Sequence, residues 1–319
     1  MRRDSVASPG GRAFAGALLV VWFVSCSSST SGTDPGTDPG TDVGTDAIQP
    51  SDTGQDVPEV DLPADLPADI PPEVATCTTD CGAMVPIPAG SFQMGCVAGA
   101  LGSDCAADEK PAHAVDVPAF DIDATEVTTS LWSRCVAAGG CTLPNSSSDL
   151  CTYGKAGKDQ FPVNCIEHDQ AAAFCQWAGK RLCSEAEWEK AAVGTDGRKY
   201  PWGNDAATCT LAVLDENGLG CGTGAPFAVG SKPAGNTPLG LEDMAGNVWE
   251  WVADTYHDTY DNAPVDGSPW MIPATQSQVA RGGAFSDQAP LMRSSVRRSF
   301  DLHLDGYYLG VRCCRSGET

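Results

Sequence analysis

The sequence predicts a loop-rich α+β domain with little regular secondary structure, stapled by disulfides and carried on an acidic arm. Three observations predict it. Short apolar–polar alternations and short capped helical patterns are interleaved, with no repeat among them. Glycine and proline are abundant, 35 and 23 of 319 residues, which leaves little room for long elements. Fifteen cysteines lack the paired spacing of zinc sites, so they point to an oxidising compartment and cross-links.

The chain opens with Arg2, Arg3 and Arg12 ahead of an apolar run over residues 13–24. Such a run is shorter than the roughly 20 residues that span a bilayer, and it fits the core of a signal peptide over residues 1–25. It leads into Phe23-Val24-Ser25-Cys26, which resembles a bacterial lipobox. That resemblance implies lipidation of Cys26, a membrane partner through the lipid, and a place in the bacterial cell envelope facing the periplasm or the cell surface. Cleavage a few residues later, as in an ordinary secreted protein, is the alternative. Setting Cys26 aside leaves 14 of the 15 cysteines, an even number that can all pair.

Residues 26–76 follow as a tether. From residue 27 onward this stretch holds 11 acids, no Lys or Arg and no aromatic residue, and it repeats Thr33-Asp34-Pro35-Gly36 with small changes. A chain of this composition cannot bury enough apolar surface to offset its conformational entropy, so disorder is expected, extended by proline and like charge. The whole chain carries a net charge of -23, which excludes partners bound by neutralising phosphates, nucleic acid first among them.

The folded domain is expected over residues 77–319. Residues 84–95 read as a short strand pair interrupted by Pro86, Pro88 and Gly90, and residues 115–122 alternate as a further strand. Thr128 or Thr129 caps a helix that ends at Gly139-Gly140. Asp169 begins a helix bearing Phe174 and Trp177 and stopped by Gly179. Ser184 and Glu187 form a capping box that opens a third helix through Ala192. Beyond Gly194 brief strands are separated by long loops, and Cys96 with Cys105, and Cys209 with Cys221, are placed to close two of them. Cys313 and Cys314 are neighbours on a closing strand, so they face opposite sides and each pairs with a distant cysteine.

Several of these segments carry a family signature. Arg181-Leu182-Cys183-Ser184-Glu185-Ala186-Glu187-Trp188 is followed in order by Tyr200-Pro201-Trp202-Gly203-Asn204, then by Asp243-Met244-Ala245-Gly246-Asn247-Val248-Trp249-Glu250-Trp251. Arg281-Gly282-Gly283-Ala284-Phe285 and Leu309-Gly310-Val311-Arg312 close the series, and Thr125-Glu126-Val127-Thr128 precedes it. Together they resemble the sulfatase-modifying factor family, whose founding member is the formylglycine-generating enzyme. The resemblance spans roughly residues 77–315 and implies a formylglycine-generating enzyme-like fold related to C-type lectins. Trp188, Trp202, Trp249 and Trp251 are then expected to pack the core.

The resemblance also says what to expect of the chemistry. The founding enzyme oxidises a sulfatase cysteine to an aldehyde, with copper(I) held by two cysteines just after the Arg-Gly-Gly motif; soft thiolates suit that ion. In this register the two positions are Asp287 and Met292, so copper is not expected. Asp243, Gly246, Val248 and Glu250 match positions that hold a structural calcium in the family, through two side chains and two backbone carbonyls. Caps for local turns are the alternative for Asp243 and Glu250.

Arg281, Arg293, Arg297 and Arg298 lie near the family's substrate groove. They either form an anion or ligand groove or pair with the domain's own carboxylates. His113, His168, His257 and His303 are scattered without metal-ligand spacing. The functional expectation is a recognition or scaffold module for a protein, peptide or glycan ligand. A formylglycine-generating oxidase, or a different chemistry in the same groove, is the alternative.

Overall fold

The computed structural model describes residues 76–97 and 105–317. The signal peptide, Cys26 and the tether up to residue 75 lie outside the described residues. The strands are β1 (Met84–Ile87), β2 (Gly90–Met94), β3 (His113–Val117), β4 (Phe120–Asp123), β5 (Arg181–Leu182), β6 (Trp249–Thr255), β7 (Ser277–Arg281), β8 (Arg297–Asp301), β9 (Leu309–Val311) and β10 (Cys313–Ser316). Three helices accompany them: α1 (Thr129–Ala137), α2 (His168–Trp177) and α3 (Glu185–Val193).

The strands form a four-stranded sheet ordered β1-β4-β10-β5, a two-stranded ribbon β2-β3, and a second four-stranded sheet ordered β8-β7-β6-β9. All pairings are antiparallel except β6 with β9. Two sequence expectations are corrected here. β1 and β2 do not pair with each other: β1 lies on β4 and β2 on β3. The alternation over residues 115–122 is two strands, because Pro118 lacks the amide that a continuous ladder needs.

The helix caps are local and follow the sequence. Thr128 accepts the amide of Leu131. Ser184 Oγ accepts the Glu187 amide at 3.1 Å while Glu187 accepts the Ser184 amide at 2.9 Å, which fixes the start of α3. Every residue of α3 is buried, four charged ones included. Glu187 pairs with Arg181, and the Lys190 ammonium donates to the carbonyls of Pro88, Gly90 and Val117. A charged helix can sit inside the fold only because each charge has a partner.

There are two apolar cores, and the apolar side chains of α3 belong to the first. One gathers Phe92, Val115, Ile122, Trp188, Val252 and Cys314; the other gathers Trp132, Phe174, Trp249, Trp251, Val311 and Cys313. Trp188, Trp249 and Trp251 are packed inside as expected, whereas Trp202 is half-buried and stacks on Tyr200. The described cysteines form seven disulfides, Cys96–Cys105 and Cys209–Cys221 among them. On β10, Cys313 reaches Cys175 of α2 and Cys314 reaches Cys183 at the end of β5. Strand alternation thus sends one bridge into each core.

Candidate functional site

The chain after the Arg281-Gly282-Gly283 turn at the end of β7 brings Asp287 to Trp249 of β6 and Met292 to a small cluster around Tyr200. The Asp287 carboxylate accepts the Trp249 indole N–H at 2.7 Å and the Ala284 amide at 3.1 Å. Burial pushes its pKa up, and the indole and the nearby guanidinium of Arg298 oppose that rise. Met292 is fully buried beside Tyr200, Ala212 and Leu214. Gly283, at φ +78°, makes room for it, since a Cβ there would lie 2.6 Å from the Met292 methyl. An indole-capped carboxylate and a buried thioether therefore stand where the family resemblance places two thiolates.

Arg298, on β8, points out beside this carboxylate. Its side chain is 48% exposed, with Nη1 3.4 Å from Asp287 Oδ1 and the guanidinium 5.8 Å from the Trp249 ring centre. Phe300, Tyr307 and Tyr308 pack edge and face around the same spot. The result is a polar and aromatic surface patch that presents one acid and one base.

The four arginines do not share one groove: three pair with buried acids of the domain, the second of the two alternatives, and Arg298 stays exposed. Arg281 is wholly buried, pairs with Glu189 and donates to the carbonyls of Ser294, Ser295 and Val296. Arg297 grips Glu185 through two contacts of 2.6 and 2.8 Å and lies over the Tyr260 ring. Arg293 grips Glu109 at 2.5 and 2.7 Å, with Ser295 joining the same carboxylate. Burial alone would raise Glu109, yet Arg293 and Ser295 hold it below the usual carboxylate range. Guanidinium donors taken out of water must be satisfied internally, and the domain's own acids do so.

A second acidic group lies around Arg312, which follows β9. Its Nε and Nη2 hold both oxygens of Glu250 at 2.8 Å, and its remaining donors reach the carbonyls of Asp123, Ala124 and Glu242. Glu250 also accepts the Trp188 indole at 2.5 Å. Asp243, at φ +55°, accepts the Gly230 amide through Oδ2 at 2.5 Å, and burial pushes its pKa up to about 6. Gly246 is pressed against Val213, whose carbonyl oxygen would lie 2.5 Å from an added Cβ. Val248 is buried in the same turn.

Asp243, Gly246 and Val248 thus lie ahead of β6 and Glu250 on it, with the Glu250 carboxylate directed to Arg312 and Trp188. Among the described residues no three His, Cys, Asp or Glu side chains converge on a metal-sized point.

Sequence reasoning gave no role to Glu126. It is 1% exposed, and neither carboxylate oxygen has a hydrogen-bond partner. Burial and the charges of Asp243 and Glu250 push its pKa well up. No sequence signal singles it out, because burial without a partner leaves no mark in spacing.

The histidines stand apart. His168 is half-buried with Nε2 2.9 Å from the Val252 carbonyl, His257 stacks on Trp270 at 3.5 Å, and His303 is exposed. A largely apolar groove of about 650 Å³ runs between α2, β5 and residues 266–271, and neither Asp287, Arg298, Asp243 nor Glu250 lines it.

Comparisons with known proteins bear on this geometry. The family described as sulfatase-modifying factor enzyme 1-like domain matches residues 71–317. Hercynine oxygenase of Mycolicibacterium thermoresistibile is 32% identical over 224 residues, covering 60% of this chain and 49% of that protein. The chain spans about half the length of that relative. The formylglycine-generating enzyme of Streptomyces coelicolor is 29% identical over 286 residues, covering 73% of this chain and 89% of that enzyme. The structure of PvdO from Pseudomonas aeruginosa matches with a TM-score of 0.66 at 28% identity, covering 75% of this chain and 96% of PvdO.

Proposed function

This chain belongs to the sulfatase-modifying factor family, and from that premise we propose that it is a lipid-anchored recognition module of the bacterial cell envelope, in which ligand binding replaces copper oxidation. The observation that carries the reading is the fate of sulfur. All 14 described cysteines are in disulfides, and the two positions matched to copper ligands are Asp287 and Met292. A carboxylate held by an indole and an amide, paired with a buried thioether, does not supply the two thiolates that copper(I) prefers.

The same spot offers something else. Asp287 and Arg298 present opposite charges side by side against Trp249, Phe300 and Tyr308, which suits a polar ligand with both donor and acceptor groups. A protein, peptide or glycan segment is the ligand we assign to it. Lipidation at Cys26 holds the module at the membrane, with the acidic arm as spacer, facing the periplasm or the cell surface.

The second reading is an active oxidase, favoured by the 29% identity that extends over most of a formylglycine-generating enzyme. One assay separates the two. The oxidised full chain is incubated with copper, oxygen and a Cys-x-Pro-x-Arg peptide, and the peptide is followed by mass spectrometry. Recognition without oxidation predicts an unchanged peptide mass; conversion to the aldehyde above a metal-only control overturns the proposal. Labelling of the wild type but not of Cys26→Ala with a radioactive fatty acid checks the anchor, and equal labelling of both refutes it.

A further inference from the structure

The two four-stranded sheets end in β1, β5, β8 and β9, and three of these edges are closed to a further strand. β1 carries Pro86, which has no amide to offer. β5 is two residues long, and the Arg181 side chain takes the Leu182 carbonyl. β9 is covered by Val127, whose amide donates to the Val311 carbonyl at 2.8 Å.

β8 differs. On one side of β7 the Tyr256 amide donates to the Ser277 carbonyl, and on the other the Leu302 amide donates to the Gln276 carbonyl at 2.7 Å. That alternation, carried along the register, turns the backbone of Phe300 and Arg298 toward β7 and that of Ser299 and Asp301 away from it. Among the described residues nothing bonds to the Ser299 amide or carbonyl, or to the Asp301 amide, on that outer side. The Asp301 carbonyl accepts the Leu304 amide, so the open stretch ends there. Uncovered edge groups of this kind are a template for another strand.

The side chains say which strand fits. Arg298 and Phe300 lie on the face that carries Trp249, and Ser299 and Asp301 lie on the opposite one. Arg298 spends one 3.4 Å contact on Asp287 and keeps further donors for a carboxylate. Phe300 is half-buried against Trp249, Trp251 and Tyr308, so part of its ring is left for an apolar neighbour. Asp301 is exposed and calls for a base. Beside a new strand, Arg298 and Phe300 would occupy non-hydrogen-bonded pairs, in which cross-strand side chains come closest.

We propose that β8 takes up an extended peptide as an added antiparallel strand. Read from its N-terminus, the peptide places a basic residue opposite Asp301, an apolar one opposite Phe300, any residue opposite Ser299 and an acidic one opposite Arg298. The inference rests on the recognition reading of the Asp287 patch, and it makes the ligand of that patch a peptide rather than a glycan.

The test presents the oxidised full chain to a phage-displayed library of random peptides. Enrichment of the order basic, apolar, any, acidic is expected. The selected peptide is then synthesised with a backbone N-methyl group either at the residue opposite Ser299 or at the acidic residue beside it. The first methyl group blocks a strand bond and should weaken binding about tenfold or more; the second points away from β8 and should cost far less. In the complex the Ser299 and Asp301 amides should exchange hydrogen more slowly. Equal losses from the two methyl groups, or no protection of Ser299, would overturn the added strand. If Arg298→Ala then still abolished binding, the patch would stand as the ligand site; if it did not, that reading would fall as well. An empty selection overturns the peptide: glycan binding by the wild type but not by Arg298→Ala would keep the patch, and no binding of either class would end both readings. Dimers of the peptide-free chain by light scattering, with Ser299 already protected, would assign the edge to a second copy and overturn the inference.

Discussion

Arg281 and Arg298 differ by 17 positions in the chain and by everything else in circumstance. Arg281 is wholly buried, pairs with Glu189 and caps three carbonyls, while Arg298 is 48% exposed and makes one 3.4 Å contact with Asp287. The inner pair cannot be loosened without stranding a charge in the core. The outer pair is screened by water and has donors to spare. Side by side they show two uses of an arginine: Arg281 holds the fold together, and Arg298 is open to something outside it.

The inner side of the comparison breaks most severely with Glu189→Ala. It strips the buried Arg281 guanidinium of its nearest counter-charge, leaving only Glu185 at 3.6 Å from Nε, and also removes the acceptor of the Gly95 amide. A loss of about 3–5 kcal/mol is expected, read as a shift in the denaturant midpoint. A loss below about 1 kcal/mol would mean the pair is not buried in solution.

Asp254 sharpens the same side at smaller cost. It accepts the amides of Glu185 and Trp270, and burial and the Glu185 charge push its pKa up to about 7. The folded state thus holds this proton more tightly than the unfolded chain, where an aspartate titrates near ~3.9. Its contribution to stability is therefore present at low pH and declines as pH rises from about 4 through about 7. Asp254→Asn should remove that part of the pH slope and cost about 1–3 kcal/mol, because its amide turns a donor toward a donor. Melting curves across the range check both, and an unchanged slope would refute the assignment.

The smallest effect belongs outside. Arg298→Ala is expected to change stability by less than about 1 kcal/mol yet to weaken binding of any ligand captured at the Asp287 patch. Equal affinity of the variant and the wild type for such a ligand, by calorimetry, would move the binding surface elsewhere.

What was legible in the sequence follows from how far each interaction reaches. The caps at Thr128 and Ser184 were readable because donor and acceptor sit three residues apart. The opposed faces of Cys313 and Cys314 were readable because strand alternation is local. Strand partners were not: nothing within residues 84–94 says that β1 joins β4 and β2 joins β3. The arginine roles were hidden for the same reason, since Arg281 meets Glu189 and Arg293 meets Glu109 across 92 and 184 residues. Glu126 stayed silent because what marks it is an absence of partners, which no spacing encodes.

The two bridges of β10 also set an order of events. Cys175 and Cys183 wait 138 and 131 residues for their partners, which are adjacent in the chain. Until residues 313 and 314 are in place, Cys175 and Cys183, eight residues apart, are both without their native partners. One short strand thus completes both long-range bridges at once, one into each apolar core.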